Sequence, residues 1–216
     1  MTKILIVDDH PIVCEGLAQL IIQEPDLEVV GIAADALEGM KKVEELKPDL
    51  VIADISLVGK SGIELIGEIK AYDENMPVLA LSMHTEALYV ERTLRAGARG
   101  YVTKNDATNV IIKAIRKVLG GGIYLSEGMS DMLLDSLYGR RREQGTSAVG
   151  RLSVREFEVF RLIGQGMKNN QIAEVLGIST KTVDAHREHI KEKLRVRDSQ
   201  ELLRYALQWT RTPDVA

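Results

Sequence analysis

The stretch Leu50-Val51-Ile52-Ala53-Asp54 ends an apolar run on a single carboxylate, and far upstream Ile4-Leu5-Ile6-Val7 stops in the same way at Asp8 and Asp9. Both runs read as strands buried on two faces, because neither alternates polar with apolar residues. If the two are neighbours in a parallel sheet, three carboxylates meet at their carboxyl ends, where open α/β sheets place their crevices. Such a cluster calls for a cation. Oxygen ligands without cysteine suit Mg²⁺, which keeps several waters and leaves room for a phosphoryl group. His10 follows the acidic pair, but a hard cation favours oxygen, so this histidine is read as part of the helix start.

Working outward, apolar runs recur at Leu27 to Ala33, Val78 to Leu81 and Gly100 to Val102. Between the five runs lie segments of helical period at Ile12 to Ile22, Ala36 to Leu46, Ile63 to Ala71, Ala87 to Ala96 and Asn109 to Leu119. Regular alternation of this kind predicts an α/β domain, a doubly wound five-stranded parallel sheet with helices on both faces. Asp35 is placed to cap the second helix and Pro48 to punctuate its exit.

After Gly120-Gly121-Gly122 the pattern changes. A short amphipathic stretch, Ser126 to Tyr138, precedes the polar segment from Gly139 to Ser147, which reads as a linker. Its Arg140-Arg141-Arg142 triplet reads as a solvated charge run, with contact to DNA phosphate as the alternative. Beyond it no strand is expected. Ser153 and Glu156 form a capping box ahead of a helix to Ile163, and Lys168 to Leu176 is a second helix closed by Gly177. Ser179 caps a third helix reaching Leu194, and Ser199 to Trp209 is a fourth. The expected division is 1–122, a connection at 123–149 with a short helix, and an all-α domain at 150–216.

Composition narrows the partners. The chain has 216 residues, 45% of them hydrophobic and 28% charged, with no apolar stretch near the roughly 20 residues of a membrane span. The N-terminus leads directly into a strand, so no signal peptide is expected and the cytoplasm is the expected location. The single cysteine, Cys14, excludes a disulfide within the chain and reads as core. Residues 1–125 carry 13 basic and 19 acidic residues, a net of −6, whereas residues 126–216 carry 15 and 13, a net of +2. That asymmetry points weakly to nucleic acid in the rear half.

The assembled residues resemble the NarL/FixJ class of two-component response regulators, a flavodoxin-like receiver joined to a four-helix LuxR-type helix-turn-helix domain. In the front half the resemblance rests on Asp8-Asp9, Asp54, Gly62, Ser82, Ala98-Arg99-Gly100-Tyr101 and Lys104. In the rear half it rests on Leu152-Ser153, Arg155-Glu156, Gly166, Asn170, Ile172-Ala173, Leu176, Ile178-Ser179, Lys181-Thr182-Val183, His186 and Lys193-Leu194. It implies that Asp54 accepts a phosphoryl group and that Asp8, Asp9, Asp54 and the Ser56 backbone carbonyl hold Mg²⁺. It further implies that Lys104 and Ser82 contact the phosphoryl oxygens, and that Ser82 and Tyr101 move together as a switch. The implied partners are double-stranded DNA, a cognate sensor histidine kinase and, when phosphorylated, a second copy of the chain. No enzymatic turnover is implied beyond self-phosphorylation from small donors and self-dephosphorylation.

Two departures from the family stand out. Leu57-Val58 replace a common Met-Pro after the acceptor, and bulky Met83 follows Ser82, where it can restrict water and lengthen the life of an acyl phosphate. On the third rear helix, Val183, Ile190 and Leu194 fall on one side as core, while Lys181, Asp184, Ala185 and Glu188 fall on the side that would meet base edges. Positions 184 and 188 are often basic in relatives. An acid can still accept from cytosine N4, and Ala185 can touch a thymine methyl, at a cost in affinity from phosphate repulsion. The alternative for Glu188 is an ion pair with Lys191 or Lys181. Phosphate anchoring is expected from Lys168, Asn170, Thr180, Lys181, Thr182, Arg187 and Lys191, with His186 structural. Leu202, Leu203, Ala206 and Trp209 divide between core and a dimer contact. The rival readings are an Asp-nucleophile phosphohydrolase on the same scaffold, a receiver that switches without phosphorylation, and a regulator that has lost DNA binding.

Overall fold

The computed structural model describes residues 1–85, 87–142 and 148–211. By contact it divides into two compact units, Met1–Ser136 and Leu137–Ala216.

The first unit alternates strand and helix throughout: β1 (Thr2–Val7), α1 (Pro11–Ile22), β2 (Leu27–Ala33), α2 (Ala36–Leu46), β3 (Leu50–Asp54), α3 (Gly62–Tyr72), β4 (Val78–Ser82), α4 (Ala87–Arg95), β5 (Gly100–Thr103) and α5 (Ala107–Leu119). The sheet is parallel in every pairing, in the order β2-β1-β3-β4-β5, as the run of fully covered strands requires. Successive strand residues turn to opposite faces. Ile4, Ile6, Leu50 and Ile52 join Leu17 of α1 and Ile115 of α5 in one buried cluster. Val7 turns the other way, toward Gly39 of α2, where an added Cβ would lie only 3.0 Å from it. Pro11 starts α1 at the position where its missing N–H costs nothing. Asp35 caps α2 by accepting from the Glu38 N–H at 2.8 Å. Ser61 and Glu64 form a reciprocal capping box on α3 that the sequence reading did not single out.

Beyond α5 the chain does not leave the sheet at once. Tyr124 bridges to Gly100, its carbonyl accepting from the Tyr101 N–H at 2.9 Å and its own N–H donating to the Arg99 carbonyl at 3.0 Å. The next helix, α6 (Glu127–Arg142), runs four residues past Tyr138. Residues 139–142, read from sequence as the opening of a polar linker, are therefore helical, since arginine is a good helix former and one glycine is tolerated. Residues 143–147 of that expected linker lie outside the described residues.

The second unit opens with a 3₁₀ turn at Ala148–Arg151, followed by α7 (Val154–Gly164), α8 (Asn169–Leu176), α9 (Thr180–Leu194) and α10 (Ser199–Arg211). The Ser153–Glu156 capping box is formed as expected, and Gly177 closes α8 at a positive φ of 62°. Phe157 and Phe160 of α7 pack on Trp209 of α10, with ring centroids 5.1 and 5.9 Å apart. Leu202, Ala206 and Trp209 are buried and Leu203 is exposed, so the α10 stripe divides between core and surface. No helix among the described residues is long and apolar enough to cross a membrane.

Candidate functional site

Parallel pairing of Val7 with Ala53 sets the residues that follow them, Asp8 and Asp54, side by side. Both are buried, and Asp9 is half-buried. β5 delivers the counter-charge. Its pairing with β4 ends at Ser82 opposite Thr103, the Lys104 N–H donates to the Ser82 carbonyl at 2.7 Å, and the Lys104 ammonium reaches back across the strand ends. Its Nζ stands 2.8 Å from Asp54 Oδ2 and 2.8 Å from Asp8 Oδ2.

One lysine thus serves a crowded set of acids. Burial pushes the Asp54 carboxyl above the ordinary carboxylate range; Lys104 opposes that shift and the Asp8 charge adds to it. Burial pulls Lys104 down, but attraction to Asp54 and its hydrogen bonds to Asp54 and Asp8 hold it above its usual value. Beneath the cluster, Cys14 Sγ approaches the Asp8 carbonyl at 3.4 Å, and burial together with the Asp8 charge pushes this thiol up to about 11. It is core, as expected.

One ligand atom from each of Asp8, Asp9, His10 and Asp54 falls within 4.8 Å of the others. Asp8 Oδ2 and Asp9 Oδ1 are buried without a hydrogen bond of sound geometry, although Lys104 Nζ lies 2.8 Å from the first and His10 Nδ1 2.7 Å from the second. Close approach without alignment leaves oxygen lone pairs aimed into the cluster, which suits a hard divalent cation such as Mg²⁺. Ser56 donates its N–H to Asp54 Oδ1 at 3.1 Å. His10 occupies the N-cap position of α1, but its ring makes no cap and faces Asp8 and Asp9 instead.

The expected switch residues meet at one backbone segment. Ser82 is buried, its Oγ accepting from the His84 N–H at 2.9 Å. Tyr101 is fully buried, and its hydroxyl donates to the His84 carbonyl at 2.8 Å. The His84 ring stacks on Tyr89 of α4 at 4.3 Å. Sequence reading missed His84, which carries no motif signal. Met83 is 57% exposed, so it lies at the surface.

In the second unit α8 and α9 form the helix-turn-helix pair. Val183, Ile190 and Leu194 are buried as the spacing predicts, while Lys181, Asp184, Ala185 and Glu188 are exposed. Lys168, Asn170 and Thr180 are exposed as well, and Arg187, Lys191 and His186 are half-buried. Thr182 is partly committed to the cap, its N–H donating to Ser179 Oγ at 3.0 Å with the two hydroxyls 2.7 Å apart. Of the two partners expected for Glu188, Lys191 is the one found, at 2.9 Å. Asp184 is not left bare either. It accepts from the side-chain amide of Asn169, a residue adjacent to the one the sequence reading chose.

A parallel sheet with buried acids and a lysine at its carboxyl edge, followed by a helix-turn-helix, defines a phosphorylation-type signalling receiver joined to a transcriptional DNA-binding domain. Residues 4–116 match the response regulator receiver domain, and residues 150–206 match the bacterial regulatory proteins of the luxR family. The chain belongs to the two-component response regulators with a LuxR-type DNA-binding domain. It is 36% identical over 209 residues to the oxygen regulatory protein NreC of Staphylococcus carnosus, covering 95% of this chain and 96% of that one. It is also 36% identical over 205 residues to the transcriptional regulatory protein MctR of Rhizobium johnstonii, covering 95% and 92%. Among solved structures it is similar to RcsB from Salmonella enterica serovar Typhimurium bound to promoter P1flhDC with the phosphomimetic BeF3−, at a TM-score of 0.64 and 28% identity over 96% of this chain and 98% of that one.

Proposed function

We propose that this regulator accepts a phosphoryl group on Asp54 from a sensor histidine kinase and thereby controls its own dimerisation and its binding to promoter DNA in the cytoplasm. The observation that carries the reading is the joint placement of Asp8, Asp54 and Lys104 at the ends of β1, β3 and β5. An Asp54 carboxylate oxygen attacks phosphorus, the P–N bond to the donor imidazole breaks, and an aspartyl phosphate forms. Asp8, Asp9, Asp54 and the Ser56 carbonyl would hold Mg²⁺, which when bound would supply the positive charge that offsets the clustered acids and the incoming phosphoryl group. Burial of Asp54 strips water from the nucleophile. Lys104 is displaced from the carboxylate to a phosphoryl oxygen, and the buried Ser82 hydroxyl, one residue past Leu81 that pairs with Asp54, donates to another. Tyr101, hydrogen-bonded to the same segment through His84, is the natural follower of that movement.

In the rear half Lys168, Asn170, Thr180, Lys181, Thr182, Arg187 and Lys191 are assigned to phosphate anchoring, and Asp184, Ala185 and Glu188 to the groove. The segment 123–149 is assigned as the connection between domains at 1–122 and 150–216. Support for the DNA-bound dimer comes from the RcsB structures, which include two dimers bound to two parallel DNAs. The test is the intact mass after incubation with Mg²⁺ and acetyl phosphate, with Asp54→Asn as control. One added phosphoryl group on the parent alone is expected; an equal gain on the control would sink the assignment of Asp54.

A further inference from the structure

We infer that Asn169 is a positioning residue for DNA reading, holding Asp184 and Arg187 of the recognition helix apart so that each reaches DNA separately. This rests on the assignment of α9 to the groove. Asp184 and Arg187 stand three positions apart on α9, a spacing at which opposite charges ordinarily pair with each other. Here they do not meet directly. Asn169, the first residue of α8, lies between them: its Nδ2 donates to Asp184 Oδ1 at 2.5 Å, and its Oδ1 accepts from Arg187 Nη1 at 3.2 Å.

The amide orientation is fixed by charge. A flipped Asn169 would turn its oxygen on the Asp184 carboxylate and its NH₂ on the Arg187 guanidinium, both repulsive, whereas the observed setting satisfies both. Asn169 therefore does what neither a cation nor an anion could. A lysine there would neutralise Asp184 and repel Arg187; an aspartate would do the reverse. Only an uncharged donor-acceptor pair serves both and leaves each with free valences: a carboxylate oxygen on Asp184 for a base donor such as cytosine N4, and the remaining guanidinium N–H groups of Arg187 for phosphate. The contact also ties the start of α8 to the recognition helix, so the two side chains are set before DNA arrives and less ordering is needed on binding. An acid in the groove is then an oriented reader rather than a repulsive charge.

The full-length chain, phosphorylated with acetyl phosphate, would be used to select duplexes from a randomised DNA library; the most enriched duplex is then titrated at several salt concentrations. Asn169→Ala lets Asp184 and Arg187 collapse onto each other. The expected result is loss of base preference at one position of the selected site and a salt slope shallower by about 1, one phosphate contact fewer. A merely structural role would lower the melting temperature while leaving the slope and the preference in place. In an Asp184→Ala background Asn169→Ala should change the base preference no further, because the group it orients is gone. Unchanged slope and preference for Asn169→Ala, or additive losses in the double variant, overturns the proposal. Should Asn169→Ala fail to fold, Asn169→Asp keeps the test open: it repels Asp184 and neutralises Arg187, so the base preference should fall and the salt slope become shallower, and loss of neither sinks the idea. Asp184→Asn separates the underlying assignment. A shift of preference toward adenine upholds base reading by residue 184; no shift removes that reading and this proposal with it.

Discussion

Asp54 in the first unit and Glu156 in the second are both buried carboxylates facing a lysine, at 2.8 Å and 2.6 Å, yet the two are displaced in opposite directions. Burial raises Asp54, and the single ammonium of Lys104, shared with Asp8, does not cancel it. Burial also works on Glu156, but the Lys193 hydrogen bond and the Ser153 contacts outweigh it and hold the carboxyl below its usual range. Glu156 has what a buried acid needs: a cation of its own and a backbone N–H within a capping box. Asp54 stands in a cluster with more acids than cations. Local dissatisfaction at an otherwise consistent fold is where function is expected, and the satisfied acid is architecture.

The comparison can be broken most severely at Gly62. A Cβ there would stand 1.8 Å from the Asp54 carbonyl oxygen, against backbone that cannot yield. Gly62→Ala should cost upwards of about 4 kcal/mol and disable the acceptor loop, while hydrogen exchange in the second unit stays as in the parent. Faster exchange confined to α7–α10, with the first unit unchanged, would contradict it.

Glu156→Gln is next. It removes the anionic partner of Lys193 and weakens the α7 cap, so the second unit should lose about 1 to 3 kcal/mol in urea unfolding. No loss would mean that Glu156 is no better satisfied than Asp54, and the contrast would fall.

Smaller again is the response to Mg²⁺. At tenfold above its dissociation constant the ion adds about 1.4 kcal/mol to whatever it binds. Melting should rise for the parent and not for Asp54→Asn, and Glu156→Gln should keep the full increment. An increment that survives in Asp54→Asn would place the ion elsewhere.

The finest test is pH. Glu156 has a lowered folded value, so its stabilisation is complete above the unfolded value of about 4.3 and fades as pH falls through the folded one. Asp54 has a raised folded value, so its ionisation in the folded state is a penalty that sets in as pH rises from about 3.9 through that value. The cost of Glu156→Gln should therefore shrink on acidification below about pH 4. Asp54→Asn should be neutral in strong acid and stabilising near neutrality, with Lys104 still paired to Asp8. The same pH slope for both variants would erase the distinction.

Much of this contrast was legible in the sequence. Acids that terminate apolar runs emerge together when their strands are neighbours in a parallel sheet, so Asp8, Asp9 and Asp54 were readable from strand pattern given that adjacency, and Ser153 with Glu156 from cap spacing. Lys104 needed the family, because nothing in its surroundings says which way a long flexible side chain will turn. Asn170 entered with the family resemblance and Asn169 carried no signal, because the amide that reaches α9 is fixed by tertiary approach rather than by local pattern. Tyr101 was half-read: its place on β5 was clear, but its full burial depends on α4 and the His84 carbonyl, which no periodicity encodes.

Tyr124 has a further consequence. By pairing with Arg99 and Tyr101 it occupies hydrogen-bonding groups along β5, the terminal strand of the sheet. An uncovered terminal strand is a template for addition of foreign chain. The residues just past the last receiver helix thus act as a built-in guard against fibrillar association, and a proteolytic fragment ending at Gly122 would lose that guard while keeping every residue of the acidic cluster.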